Sequence, residues 1–135
     1  MGEKYILTGI VVKGNQLGRT IGFPTANLIP EKDKILPIKN GVYAVRVEVN
    51  QNIFDGMANI GIRPTLDQHD ITIEAHLFDF SDDLYDKSIT ILFYDFIREE
   101  QKFSGLDELK SQLEKDKMTI RNILSNRVQP DPDTQ

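Results

Sequence analysis

The 135-residue chain contains no cysteine and no tryptophan. Without thiols it has no disulfide framework, no thiolate zinc site and no cysteine nucleophile, a composition suited to a reducing cytoplasm. It has no apolar run near the ~20 residues that a membrane helix needs. Its opening MGEKYILTG lacks the long apolar segment of a signal peptide. Basic residues are the minority, 16 Lys and Arg against 21 Asp and Glu for a net charge of −5, and they form no stripe. Nucleic-acid binding by phosphate neutralisation is therefore disfavoured, whereas a small anion held by one locally positive loop stays open. Internal repeats and shifts of composition are also missing. A hydrophobic content of 39% over this length then reads as one domain able to bury a core.

What is present changes period along the chain. YILTGIVV alternates Tyr5, Leu7, Gly9 and Val11 against Ile6, Thr8, Ile10 and Val12. VYAVRVEV sets Tyr43, Val45, Val47 and Val49 on one face and Ala44, Arg46 and Glu48 on the other. A turn-rich NQNIFDG leads into a short run, MANIG. ITIEAHLFDF alternates Ile71, Ile73, Ala75 and Leu77 against Thr72, Glu74, His76 and Phe78, and SITILFYDFI is apolar on both sides. Period-two runs between Gly, Pro, Asn and Asp clusters predict an antiparallel sheet or small barrel. From Ser104 the period becomes helical. Leu106, Leu109, Leu113, Ile120, Ile123 and Leu124 make one stripe. The pattern predicts a helix over about 105–124 with a break near Asp116, started by a capping box of Ser104 with Asp107. RVQPDPDTQ reads as a disordered polar tail.

Three features carry chemistry. GNQLGRT, Gly14 to Thr20, misses a P-loop: three residues rather than four separate its glycines, Arg19 stands for Lys, and strand pattern surrounds it. It is either a hairpin loop with one solvated arginine or a loop whose backbone N–H groups and Arg19 approach an anion. Next, Pro24 stiffens Thr25-Ala26-Asn27. Thr25 and Asn27 are two apart, so an extended backbone points both the same way. Two neutral oxygens beside a glycine-rich loop make half a site for Mg-ATP, or else an Asx or ST turn. Third, a phosphoryl transfer needs a group that orients the acceptor hydroxyl and takes its proton. Glu74, mid-strand between Ile73 and Ala75, is the candidate, although a solvent-facing strand carboxylate has the same pattern. His69 and His76 are badly spaced for a shared metal and read as solvated or hydrogen-bonded histidines.

Taken in order, GIVVKGNQLGRTIGFPTANL, LPIKNGVYAVRV, MANIGIRPT, IEAHLFDFSDDLYDKSI and FIREEQKFSGLDEL resemble the riboflavin kinase family, from about Tyr5 to Lys117. In bacteria this module usually forms the C-terminal part of a bifunctional riboflavin kinase/FMN adenylyltransferase. The resemblance implies a mainly β fold: a six-stranded antiparallel Greek-key barrel with a C-terminal helix over residues 1–125, followed by a flexible tail at 126–135. It implies ATP-dependent phosphorylation of the riboflavin 5′-hydroxyl, giving FMN and ADP in the cytoplasm. Thr25 and Asn27 match the family's Mg²⁺ and phosphate ligands, and Glu74 matches its base. Gly14, Arg19, Leu77, Asp79 and Tyr85 match nucleotide contacts, and Arg98, Phe103 and Asp107 match flavin contacts.

One departure stands out: the family's DLYG reads Asp83-Leu84-Tyr85-Asp86, a small cost to a turn where glycine would supply a positive φ. The implied partners are ATP, riboflavin and, in a longer protein, an N-terminal adenylyltransferase module. Neither nucleic acid nor membrane is among them, and the kinase unit is expected to be monomeric. The alternatives are a non-catalytic flavin-sensing barrel, whose mark would be loss of the Thr-x-Asn pair or the strand Glu, and a small nucleic-acid-binding barrel.

Overall fold

A computed structural model describes residues 5–13, 17–30, 39–64 and 69–127. Gly14 and the tail from 128 onward lie outside these, as do the side chains at 62–64 and 69–70. The chain runs β1 (Tyr5–Val12), α1 (Leu17–Thr20), β2 (Ala26–Pro30), β3 (Gly41–Val49), β4 (Asn52–Pro64), β5 (His69–Leu77), β6 (Ser88–Arg98) and α2 (Leu106–Ser125). The strands close a barrel in the order β1-β2-β5-β4-β3-β6, every pairing antiparallel. Steps β2 to β3 and β5 to β6 cross between non-neighbours, as the Greek-key expectation requires. Closure leaves no free sheet edge.

Strand alternation divides the apolar residues into two cores. Leu7, Val11, Leu28, Val45, Val47, Ile60, Ile73, Ile89 and Ile91 fill the barrel interior. Val42, Ala44, Met57, Leu92 and Tyr94 point outward and meet Ile120 and Leu124 of α2. The second face of β3 is therefore covered by the helix. Arg46 on that face is 4% exposed. Its Nε donates to Asp55 (3.0 Å) and its Nη2 to the carbonyls of Leu124 (2.8 Å) and Arg127 (3.2 Å). A buried guanidinium thus serves the orphan carbonyls at the C-terminus of α2, where a positive charge also suits the helix dipole.

Several sequence expectations are corrected here. The turn-rich reading of NQNIFDG gives way to a two-residue turn, Asn50 and Gln51 with φ of 51° and 72°. Positive φ at both central residues is the type I′ preference of hairpins. MANIG is the middle of a 13-residue strand, because Asp55 is occupied by Arg46 rather than by a loop. The sequence GNQLGRT contains one helical turn, Leu17–Thr20. The capping box does not form: the N-cap is Gly105, with no side-chain cap bond. Instead the Ser104 N–H and hydroxyl both donate to Glu108 (2.8 and 3.0 Å). Leu106 leaves the buried stripe, at 45% exposed, and α2 runs through Asp116 without a break.

Asp86 has a φ of 68°, so the turn does take the conformation that glycine adopts freely. Its N–H donates to the Val11 carbonyl (2.8 Å), tying this turn to the end of β1. Left-handed backbone costs an L-residue about 1–2 kcal/mol, partly offset by the greater unfolded-state freedom of glycine, about 0.4–1 kcal/mol. Asp86→Gly should therefore raise stability by about 0.5–1 kcal/mol, read as a higher denaturant midpoint at unchanged slope.

Candidate active site

The site grows from the alternation of β5. Ile73, Ala75 and Leu77 face the barrel interior. Glu74 and His76 face outward, together with Asn59 and Met57, their partners on β4. On the other side of β5, Asn27 pairs with Glu74 and Ala26 with Ala75. The expectation that Thr25 and Asn27 share a direction is met through this register, since Ala26 and Leu28 pack toward the interior.

Two cavities lie on opposite sides of β5. The outer one, about 540 Å³, is bounded by Phe23, Glu74 and His76 on the barrel and by Phe103, Leu109 and Leu113 on the segment entering α2 and on the helix itself. The inner one, about 330 Å³, opens at the mouth of the barrel under Phe80–Tyr85, with Arg19, Ala75 and Leu77 in its walls. Thr25 lines both. Its hydroxyl donates to Glu74 Oε1 over 3.3 Å, leaving the oxygen's lone pairs available.

Burial pushes the Glu74 carboxyl above the ordinary range. The charge of Glu100 pushes the same way, and the Thr25 hydroxyl opposes both. His76 is held below its ordinary value, first by burial and then by Lys117, against the Pro24 carbonyl. A carbonyl only accepts, so the 2.7 Å contact from His76 Nδ1 to Pro24 O makes Nδ1 the protonated nitrogen. The ring also meets Phe23 at 5.1 Å and Phe78 at 5.7 Å between centroids, both at steep interplanar angles. His76 is thus a hydrogen-bonded pin on the segment that carries Thr25 and Asn27.

Of the remaining predicted residues, Tyr85 joins Arg19 and Leu77 at the mouth cavity. Asp79 stands apart from it: 77% exposed at the side chain, it pairs with Arg121 of α2 at 2.8 Å. That ion pair holds its carboxyl below the ordinary range. Arg98 and Phe103 border the outer cavity, whereas Asp107 is exposed in the first turn of α2. Arg98 is engaged by Asp116, which accepts from Nε (3.0 and 3.1 Å), from Nη2 (2.8 Å) and from Gln112 (3.0 Å). Asp116 is 2% exposed. The sequence carried its signal: Asp116 sits on the apolar stripe, three after Leu113 and four before Ile120, where a charge needs a buried partner.

Two cavities that share the Thr25 hydroxyl, itself bonded to a desolvated carboxylate in the wall of the outer one, form a layout with room for two substrates. The family model described as "Flavokinase: Riboflavin kinase" matches residues 1–124. The chain belongs to the riboflavin kinase family, transferases of flavin biosynthesis. It is 44% identical over 129 residues to the bifunctional riboflavin kinase/FMN adenylyltransferase of Bacillus subtilis, covering 93% of this chain and 40% of that protein. The chain thus spans about two fifths of such a relative.

Among solved structures, a riboflavin kinase from Trypanosoma brucei superposes with a TM-score of 0.68 at 28% identity, covering 93% of this chain and 82% of that one. A Streptococcus pneumoniae structure described as a macrolide-efflux protein superposes with a TM-score of 0.81 at 38% identity, covering 87% of this chain and 38% of that one. Among the described residues, no helix is long and apolar enough to cross a membrane.

Breaking a buried ion pair from one side costs about 3–5 kcal/mol. Asp116→Ala should approach that loss in a denaturation series. A loss well below that range would mean that Arg98 is not left as an uncompensated buried charge.

Proposed function

We propose that the mouth cavity takes ATP, that the outer cavity takes riboflavin, and that the γ-phosphoryl group passes to the ribityl 5′-hydroxyl where the two meet. The observation that carries this reading is Thr25, which lines both cavities and is hydrogen-bonded to Glu74. The walls suit the substrates. Phe23, Phe103, Leu109 and Leu113 offer apolar surface to a flat ring system, while Arg19, Ser81 and the Phe80–Tyr85 segment offer polar groups to a nucleotide.

Glu74 orients the 5′-hydroxyl and accepts its proton as the bond to phosphorus forms. A base works best with a pKa near the operating pH, and burial moves Glu74 in that direction. Arg19, in the wall of the mouth cavity, would face the phosphates, and His76 holds the Pro24 carbonyl so that Thr25 and Asn27 keep their direction. Among the described residues no group of three or more His, Cys, Asp or Glu could hold a metal. The donor set is instead two neutral oxygens on one face, flanking a carboxylate. That fits a Mg²⁺ that keeps waters and takes most of its remaining ligands from phosphate, with Thr25 and Asn27 as its protein ligands. When bound, such an ion neutralises charge on the phosphate oxygens.

Leu77 and Tyr85 would touch the nucleotide, and Arg98 and Phe103 the flavin. For Asp79 and Asp107, both exposed, and for Gly14, outside the described residues, contact depends on the substrates themselves. Both cavities are built from one chain, the basis for proposing a monomeric kinase unit. Relatives that carry a second activity on the remainder of their length support fusion to an N-terminal FMN adenylyltransferase module in a longer protein. The product of this chain is then FMN and not FAD, which chromatography of a reaction with riboflavin, ATP and Mg²⁺ checks.

Glu74→Gln should keep the fold and lose at least about 10²-fold in kcat. The wild-type rate should fall as pH drops through the raised Glu74 pKa, on a limb above that of an ordinary carboxylate. The stability change has a defined sign. Burial disfavours only the folded, ionised Glu74, so its favourable contribution is present below the unfolded pKa and is lost as pH rises through the folded one. Glu74→Gln should therefore be more stable than wild type at neutral pH, with the gain vanishing below about pH 4. Thr25→Ala and Asn27→Ala should raise the Mg²⁺ requirement more than they weaken flavin binding. Unchanged magnesium titrations in both would remove them as ligands.

A further inference from the structure

Glu74 is one member of a row that crosses the outer face of the barrel. The registers pair Asn27 with Glu74, Glu74 with Asn59, Asn59 with Val42, and Val42 with Arg98. The row therefore reads Asn27, Glu74, Asn59, Val42, Arg98 across five strands. Neighbouring strands are about 4.8 Å apart, so Asn59 lies one such step from the candidate base, on the side toward Arg98. Glu74, Asn59, Val42 and Arg98 all line the outer cavity.

Asn59 is anomalous in this row. Its Oδ1 is buried and has no hydrogen-bond partner, whereas Glu74, His76 and Arg98 are each engaged by Thr25, Pro24 and Asp116. A buried amide oxygen without a partner destabilises a folded protein. Its apolar neighbours do not call for an amide, since Met57 precedes it on the same face and Val42 is its partner on β3, and its polar partner on β5, Glu74, takes a hydrogen bond from Thr25. An apolar side chain would pack there without that penalty. The missing partner is a group that arrives with a ligand, and the amide can both accept from and donate to a hydroxyl.

We propose that Asn59 is a specificity-determining residue whose amide binds a secondary hydroxyl of the flavin's ribityl chain, and so sets how far the terminal hydroxyl reaches toward Glu74. This rests on riboflavin occupying the outer cavity. The five-carbon chain between ring and terminal hydroxyl is long enough to cross one strand spacing, and Asn59 stands between Glu74 and Val42 on the cavity wall. A site that hydrogen-bonds a substrate hydroxyl rejects the analogue lacking it, because the polar group of the site is then left buried and unpaired. Asn59 would in this way separate riboflavin from flavins with a bare alkyl chain.

The test compares wild type with Asn59→Leu and Asn59→Ala on two substrates, riboflavin and a flavin whose side chain keeps only the terminal hydroxyl. The preference for riboflavin in kcat/KM should fall at least about tenfold in both variants, through loss of riboflavin turnover, with Asn59→Leu also relieving the rejection of the analogue. Without ligand, Asn59→Leu should be at least as stable as wild type, which a structural role for the amide would not allow. An unchanged preference, or equal losses on both substrates, overturns the proposal. Affinity for the two flavins, read from quenching of flavin fluorescence, repeats the comparison without turnover. A wild-type protein that binds flavin but transfers no phosphate would therefore defeat the kinase reading and still decide the role of Asn59.

Discussion

The seam between β2 and β5 is the constraint on which the rest depends. It consists of two residue pairs, Ala26 with Ala75 and Asn27 with Glu74, on a strand of five residues. Those pairs close the barrel, and an open barrel would expose two unpaired edges. They also place the Thr25–Asn27 segment beside Glu74. Folding and assembly of the site are thus one event here. Pro24 stiffens the approach to the seam, and the His76 bond to the Pro24 carbonyl anchors that approach from β5 itself, two residues beyond Glu74.

The same strand keeps the two cavities apart. Inward residues of β5 shape the mouth cavity and outward ones shape the outer cavity, so the two proposed ligands would approach from opposite faces and meet where Thr25 reaches both. The outer cavity has a second boundary, α2, and two arginines hold that helix. Arg46 gathers its C-terminal carbonyls, and Arg98 meets Asp116 in its middle. The first turn, with Leu106 exposed, has no such arginine tie among the described residues, and Leu109 just after it lines the cavity. A helix clamped at its middle and end leaves room beside its beginning for a flat ligand.

Much of this was legible in the sequence. Period-two alternation identified the strands, and on β5 it also predicted that Glu74 and His76 share a face. Thr25 and Asn27 were separable from ordinary turn residues only through their order relative to Glu74 and the later blocks. Other features were hidden for physical reasons. Arg46 was placed only on the second face of its strand and Asp116 at a helix break, because their partners lie 78 and 18 positions away; only the place of Asp116 on the apolar stripe pointed to a buried partner. The Ser104 cap failed because Glu108, one turn into the helix, competed for both donor groups of Ser104. NQNIFDG misled by composition, since Asp55 serves a buried arginine. Asn59 gave no signal at all: one amide in an apolar strand gains meaning only when its neighbours are known.

Family membership says which reaction such a barrel performs, while the two-sided geometry says how this chain would perform it. The most direct measurement is a crystal structure with ADP, Mg²⁺ and riboflavin bound together. The nucleotide should lie in the mouth cavity beside Leu77 and Tyr85, and the ring system in the outer cavity beside Phe103 and Leu113. The terminal hydroxyl should fall within hydrogen-bond reach of Glu74. Both ligands on one side of β5, or a terminal hydroxyl turned away from Glu74, would contradict the two-sided transfer.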